Sequence, residues 1–176
     1  MKLKNKLPVL IVIGAAILAL LFALIMPGAK MVQKMGTSEV VYKANLIGLM
    51  FGSTEVVATL GSKTQSITYD GGMSIFGLIS FIALVGGLAL TVLSFFVADK
   101  KFDTIGAVLV ALAGVLVLFL LTAGTDLTGY NGIDMSAHPA EFKEVYENYK
   151  LGVGAILYAI VAILGGGIGL VMSRKK

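Results

Sequence analysis

Apolar positions in this chain gather into four long runs, 7–26, 73–98, 104–123 and 150–172, separated by stretches where polar residues recur. Inside the runs there is neither the two-residue alternation of a half-buried strand nor the polar stripe of a surface helix. Crossing about 30 Å of hydrocarbon takes roughly 20 helical residues. Each run meets that length with no acid or base in its interior, so the pattern predicts four membrane-spanning helices.

The connections carry a different pattern. The turn 99–103 is so short that the second and third helices must be antiparallel neighbours. The first long connection, 27–72, exceeds what an idle loop needs. Within it 54–60 is rich in β-branched residues, Gly61-Ser62 suits a two-residue type II′ turn, and 63–69 carries alternating Thr and Ser. A two-residue loop sets Leu60 opposite Lys63, Ala58 opposite Gln65, Val56 opposite Ile67 and Thr54 opposite Tyr69. Thr59 with Thr64 and Val57 with Ser66 then form the other, mostly polar face.

Two extended pieces, 39–43 and 46–51, precede this hairpin. A lone hairpin is marginal, so a small sheet of about three or four strands is expected. Leu46, Ile47, Leu49, Met50 and Phe51 read as a strand of its core, with the membrane surface or a protein partner as the alternative cover. In the second connection, 124–149, Gly129, Asn131 and Gly132 are turn chemistry, whereas 139–149 reads as a helix with Pro139 at its first position. Phe142, Val145, Tyr146 and Tyr149 recur on one face of it. The fourth spanning helix is therefore expected to begin several turns outside the membrane, its aromatic stripe covering the sheet.

Small residues recur one helical turn apart: Ala15, Ala19 and Ala23; Ala83 and Gly87; Ala107 and Ala111; Ala155 and Ala159; Ala162 and Gly166. Such positions let backbones approach closely in lipid, where no hydrophobic effect drives helices together. They predict a left-handed bundle, with residues such as Val117 facing lipid. The run Gly165-Gly166-Gly167-Ile168-Gly169 resembles a phosphate-binding loop in letters only, since it follows no strand and opens no helix. It reads as a flexible or tightly packed helix end.

Composition agrees with the pattern: 57% hydrophobic and 14% charged residues, against about half and a quarter in soluble domains. There is no cysteine, which excludes disulfides, thiolate metal sites and a thiol nucleophile. The net charge of +4 falls between the apolar runs and reads as a topology signal rather than a nucleic-acid footprint. Lys2, Lys4, Lys6, Lys100, Lys101, Arg174, Lys175 and Lys176 lie on one side against only Asp99 and Asp103. Six lysines share the other side with eight acids, so the first side is expected in the cytoplasm, with both termini, and the membrane is expected to be the plasma membrane. The first run is longer than a secretory signal core and is read as a retained helix.

The expected fold class is an all-α membrane protein: a four-helix transmembrane bundle with a small extracellular β-sheet and an extended fourth helix. This layout, with a long first outer segment and a very short inner turn, resembles the claudin and PMP22 type of tetraspan protein. Gly48-Leu49-Met50 is the nearest match to that family's Gly-Leu-Trp, whose tryptophans and cysteines have no counterpart here. The resemblance implies an outer sheet that meets other proteins, and no binding residue is carried over.

Candidate chemistry is sparse. Asp126, Asp134, His138 and Glu141 are the one gathering of titratable groups, and they lack both a nucleophile and metal-ligand spacing. His138 reads as a helix-start residue. Ser74, Ser80, Thr91, Ser94, Thr122 and Tyr158 suggest a polar path for a small oligomeric transporter, yet the spans hold no ionisable coupling site. A membrane enzyme is weaker still. The reading is a noncatalytic membrane protein without cofactor or metal, a structural or adhesion-like component or accessory subunit. Its partners are the lipid bilayer and other membrane proteins or a second copy. Leu46, Ile47, Leu49, Met50, Phe51, Thr59 and Thr64 are the candidate contact residues.

Overall fold

A computed structural model describes residues 6–35, 38–70, 73–97, 100–121 and 150–174. In chain order the elements are α1 (Leu7–Ile25), β1 (Pro27–Met35), β2 (Ser38–Asn45), α2 (Leu46–Phe51), β3 (Ser53–Leu60), β4 (Lys63–Asp70), α3 (Ile75–Val97), α4 (Lys100–Val117), β5 (Lys150–Leu151) and α5 (Val153–Arg174). Among the described residues three helices, α1, α3 and α5, are long and apolar enough to cross a membrane. The third expected span, 104–123, is different. Its helix α4 starts earlier and takes in Lys100, Lys101 and Asp103, and it gives way to a turn after Val117.

The described chain divides into two units. One draws on Met1–Phe22, Ile79–Leu118 and Leu157–Lys176. Here α3 and α4 run antiparallel, because contacts climb one helix as they descend the other: Ser80 meets Ala113, Gly87 meets Gly106, and Ser94 meets Asp103. A Cβ on Gly87 would stand 2.9 Å from the Gly106 carbonyl and from a Val110 methyl, closer than real side chains approach. Between α4 and α5, Gly114 lies against Ala159 and Gly166 against Ala107 and Ala111, while Gly165 lies against Ala15 of α1. Ala19, Ala83, Ala107, Ala159 and Ala162 are buried, Ala15 is half-buried, and Ile17, Ile82, Phe96 and Leu164 are exposed. Small side chains therefore mark helix contacts, and large ones are left for an apolar surround.

Two expectations change in this unit. Val117 does not face outward: it is fully buried. The glycine run 165–169 is not a helix end but part of the interior of α5, where Gly165, Gly166 and Gly169 are pressed against neighbouring helices.

The other unit draws on Ala23–Leu78 and Phe119–Ile156 and holds a five-stranded antiparallel sheet ordered β4-β3-β2-β1-β5. Pro27 stops α1, since the residue before a proline is pushed out of the helical region, and Pro27 opens β1. The β3–β4 register pairs Leu60 with Lys63, Ala58 with Gln65, Val56 with Ile67 and Thr54 with Tyr69, as a two-residue turn requires. Gly61 in that turn takes φ 59°, a left-handed value that glycine adopts without strain. The sheet is wider than expected, because β1 and the two-residue β5 join it.

Leu46–Phe51 is not a strand. It is the short helix α2, whose first turn is capped by the Asn45 side chain accepting from Ile47 N at 2.9 Å. Gly52, at φ 84°, ends it by donating its N–H to the Gly48 carbonyl at 2.8 Å. A helix places Leu46, Leu49 and Met50 together and buries all three, whereas a strand would have split them between two faces. The extended fourth helix is also corrected. Lys150–Leu151 pairs with β1, and the Gly152 N–H donates to the Gly28 carbonyl at 2.7 Å, so α5 begins only at Val153. The expected helix 139–149 and its aromatic stripe lie outside the described residues.

Candidate functional site

Two sets of side chains have the character of a site. The first is a series of hydroxyls on the apolar helices. Ser80, Thr91, Ser94 and Tyr158 are all buried in the first unit. An unpaired hydroxyl in an apolar interior is costly, and each of these has an acceptor or donor. The Ser80 hydroxyl lies 2.7 Å from the Ala113 carbonyl and 3.0 Å from the Tyr158 hydroxyl. Thr91 donates to Gly87 O of its own helix at 2.7 Å. Ser94 lies within donating distance of Thr91 O and of an Asp103 carboxylate oxygen. In the second unit the buried Ser74 hydroxyl donates to Leu120 O at 2.7 Å and accepts from Gly77 N at 3.1 Å, which caps α3.

These bonds assign the hydroxyls to packing. Ser80 of α3 donates to the Ala113 carbonyl within α4, and Ser74, just before α3, donates to the Leu120 carbonyl in the turn after α4. One of the hydroxyls, Ser94, meets a carboxylate, that of Asp103, and the contact ties α3 to the first turn of α4. Thr122, the remaining member of the expected polar path, lies outside the described residues. So do Asp126, Asp134, His138 and Glu141, and no metal-holding group occurs among the described residues.

The second set is on the sheet. Thr59 and Thr64 are direct partners across β3 and β4, Thr59 half-buried and Thr64 exposed, with Val57 and Ser66 the next pair on that face. The α2 residues divide differently from the expectation of a shared contact surface. Leu46, Leu49 and Met50 are buried within the chain, Ile47 is half-buried, and only Phe51 is largely open, at 49%. Met50 packs towards Gly77, where an added Cβ would stand 3.1 Å from its side chain. Of the seven candidate contact residues, Phe51, Thr64 and the margin of Thr59 and Ile47 remain accessible.

Of the helix-packing candidates, Ala19, Ala83, Gly87, Ala155, Ala159, Ala162 and Gly166 are buried, and Ala15 is half-buried beneath Gly165. Gly106 and Gly114, which are not among those candidates, make backbone contacts as close, with Gly87 O and Ala159 O. Among known proteins the chain matches no family model, and no curated protein matches it.

Proposed function

We propose that this chain is a noncatalytic integral membrane protein, serving as a structural or adhesion-like component or an accessory subunit of a membrane complex. In this reading four helices form a bundle that crosses the plasma membrane four times. Both ends face the cytoplasm and the sheet faces outside. The observation that carries it is the division of labour in the polar groups. Buried hydroxyls on the helices are engaged by backbone carbonyls, by one another and, at Ser94, also by the Asp103 carboxylate, while the Thr64 and Ser66 face of the sheet is exposed. Helices so engaged pack, and a sheet face so exposed is available to a partner. The layout resemblance to claudin-type proteins supports the same class. A transporter has less support, because the described hydroxyls of its polar path are engaged in packing bonds.

The test is purification from the native membrane in mild detergent, with identification of what accompanies the protein. A stoichiometric partner, or a defined homo-oligomer, is the expected result. Recovery of the monomer alone would remove the basis for an accessory or structural role.

A further inference from the structure

Three lysines stand side by side across the sheet. Lys43 on β2 is directly opposite Lys30 on β1, and Lys30 is directly opposite Lys150 on β5. Residues paired in this way share a face, and all three side chains are exposed. Adjacent strands lie about 4.8 Å apart, so three ammonium-bearing stems leave the sheet within about 10 Å. Beyond Lys43 the row continues into Val57 and Ser66, so the charge is confined to the β2-β1-β5 side. Like charges directly opposite one another destabilise a sheet. No ion pair or hydrogen bond of these three lysines relieves that repulsion among the described residues. An arrangement that opposes folding, and that one neutral residue would relax, calls for an anion.

The neighbouring chain indicates which anion. Lys30 lies five residues past the end of α1 at Ile25, and Lys150 lies three before the start of α5 at Val153. Ile25 is 75% exposed and Val153 58%, large apolar side chains at the ends of two helices apolar enough to span a membrane. Such side chains belong in hydrocarbon, and the headgroup layer adds only about 5–7 Å beyond it. At about 3.3 Å per extended residue, the Lys150 backbone is at most about 10 Å from Val153. Its four-carbon stem bends across that distance, as lysines at membrane borders do. A freely soluble anion has no need of a border with exposed apolar side chains.

We infer that Lys30, Lys43 and Lys150 form a site for the phosphate groups of anionic lipid headgroups. Each ammonium offers three donors to phosphate oxygens, and three of them in a row hold the charge of one or two headgroups. This goes beyond the proposed function, because it needs a membrane and not a protein partner.

The test uses the full chain reconstituted in phosphatidylcholine vesicles with or without phosphatidylglycerol. Two quantities are read: the lipid ratio that stays with the protein in mild neutral detergent, and the thermal midpoint in each vesicle. Wild type is expected to retain phosphatidylglycerol above the bulk ratio, by about fivefold for each lysine engaged, and to melt higher in its presence. The variant Lys30→Gln/Lys43→Gln/Lys150→Gln is expected to retain lipid at the bulk ratio. Freed of repulsion, it should melt no lower than wild type in phosphatidylcholine, which separates a lost site from a lost fold. Lys63→Gln, on the opposite face of the sheet, should behave as wild type. As a readout without any variant, rising salt should erase the enrichment. Equal enrichment in the triple variant would overturn the site. So would a thermal response to inorganic phosphate with none to phosphatidylglycerol.

Discussion

The hydroxyl of Ser80 on α3 lies 3.0 Å from that of Tyr158 on α5 and 2.7 Å from the Ala113 carbonyl on α4, so one small side chain touches three helices. A serine hydroxyl has a single proton. Given to Ala113 O, it leaves Ser80 Oγ as the acceptor and makes Tyr158 the donor. Removing the donor alone, in Tyr158→Phe, should cost about 1 kcal/mol. Ser80→Ala should cost more, because the buried Tyr158 hydroxyl would keep only the Ser80 carbonyl, 3.4 Å away. The coupling between the two changes, measured as a double-mutant cycle by unfolding in mixed micelles, should be about 0.6 kcal/mol and not exceed about 1.7. Strict additivity would mean that the two hydroxyls do not share a bond.

Close backbone approach predicts where bulk is refused. Gly87→Leu pushes a side chain into Gly106 O and Val110, and Ala159→Leu fills the contact beside Gly114. Each should cost about 1–3 kcal/mol, the range for overpacked interiors. Ile82→Leu, at a position 59% exposed on α3, should be nearly silent. Val117→Leu belongs with the costly group, since that side chain is fully buried. The same micelle unfolding assay ranks all four. Equal tolerance would show that the small residues mark no interface.

The caps of α2 give a prediction about the second unit. Asn45→Ala removes the acceptor for Ile47 N and should cost about 0.5–2 kcal/mol, while Asn45→Asp keeps an acceptor and should be mild. Gly52→Ala forces a left-handed conformation on a residue with a Cβ, a penalty of about 1–2 kcal/mol. Proteolysis within the sheet is the readout, because Leu46, Leu49 and Met50 are buried by this helix. An Asn45→Ala chain as protease-resistant as wild type would mean that the cap is not limiting.

Periodicity made the apolar helices and the β3–β4 hairpin legible. For the hairpin, Gly61-Ser62 leaves one register that keeps Thr59 and Thr64 on a common face. The same reading missed α2 because Leu46–Phe51 is short and continuously apolar, a pattern that fits strand and helix alike. Its helical signals were local: Asn45 before the run, Gly52 after it, and apolar residues at 46, 49 and 50. Strand β5 left no signal at all, since Lys150 and Leu151 are extended only by pairing with Lys30 and Ala29, more than a hundred residues earlier. That pairing also creates the lysine row, which a count of charges per loop is unable to reveal. Val117 was misplaced because a valine in an apolar run carries no mark of its face until the neighbouring helices are positioned.

Topology is predicted by the distribution of Lys and Arg. A reporter active only in the cytoplasm should work when fused after Lys176 or inserted at 99–103, and should fail when inserted at Gly61 or Gly132. Activity at Gly61 would place the sheet on the cytoplasmic side and with it the lysine row.

The partner surface is predicted to lie on the exposed face of the hairpin. Thr64 is open and lies on β4, at the margin of the sheet, and its direct partner Thr59 is half-buried, so a charge at Thr64 meets solvent without entering a core. Thr64→Glu should therefore leave unfolding unchanged within about 0.5 kcal/mol, as for surface substitutions away from caps and cores. A partner that covers this face would have to bury the new carboxylate, a cost of about 2 kcal/mol or more at a central contact, which is roughly a thirtyfold loss of affinity. Phe51→Glu tests the other accessible candidate, a ring 49% exposed at the end of α2. Capture of the partner from native membranes, quantified against wild type, should fall for Thr64→Glu while the protein's own yield and thermal midpoint stay constant. Loss of capture with Phe51→Glu alone would move the contact surface to α2, and unchanged capture with both would take it off these residues altogether.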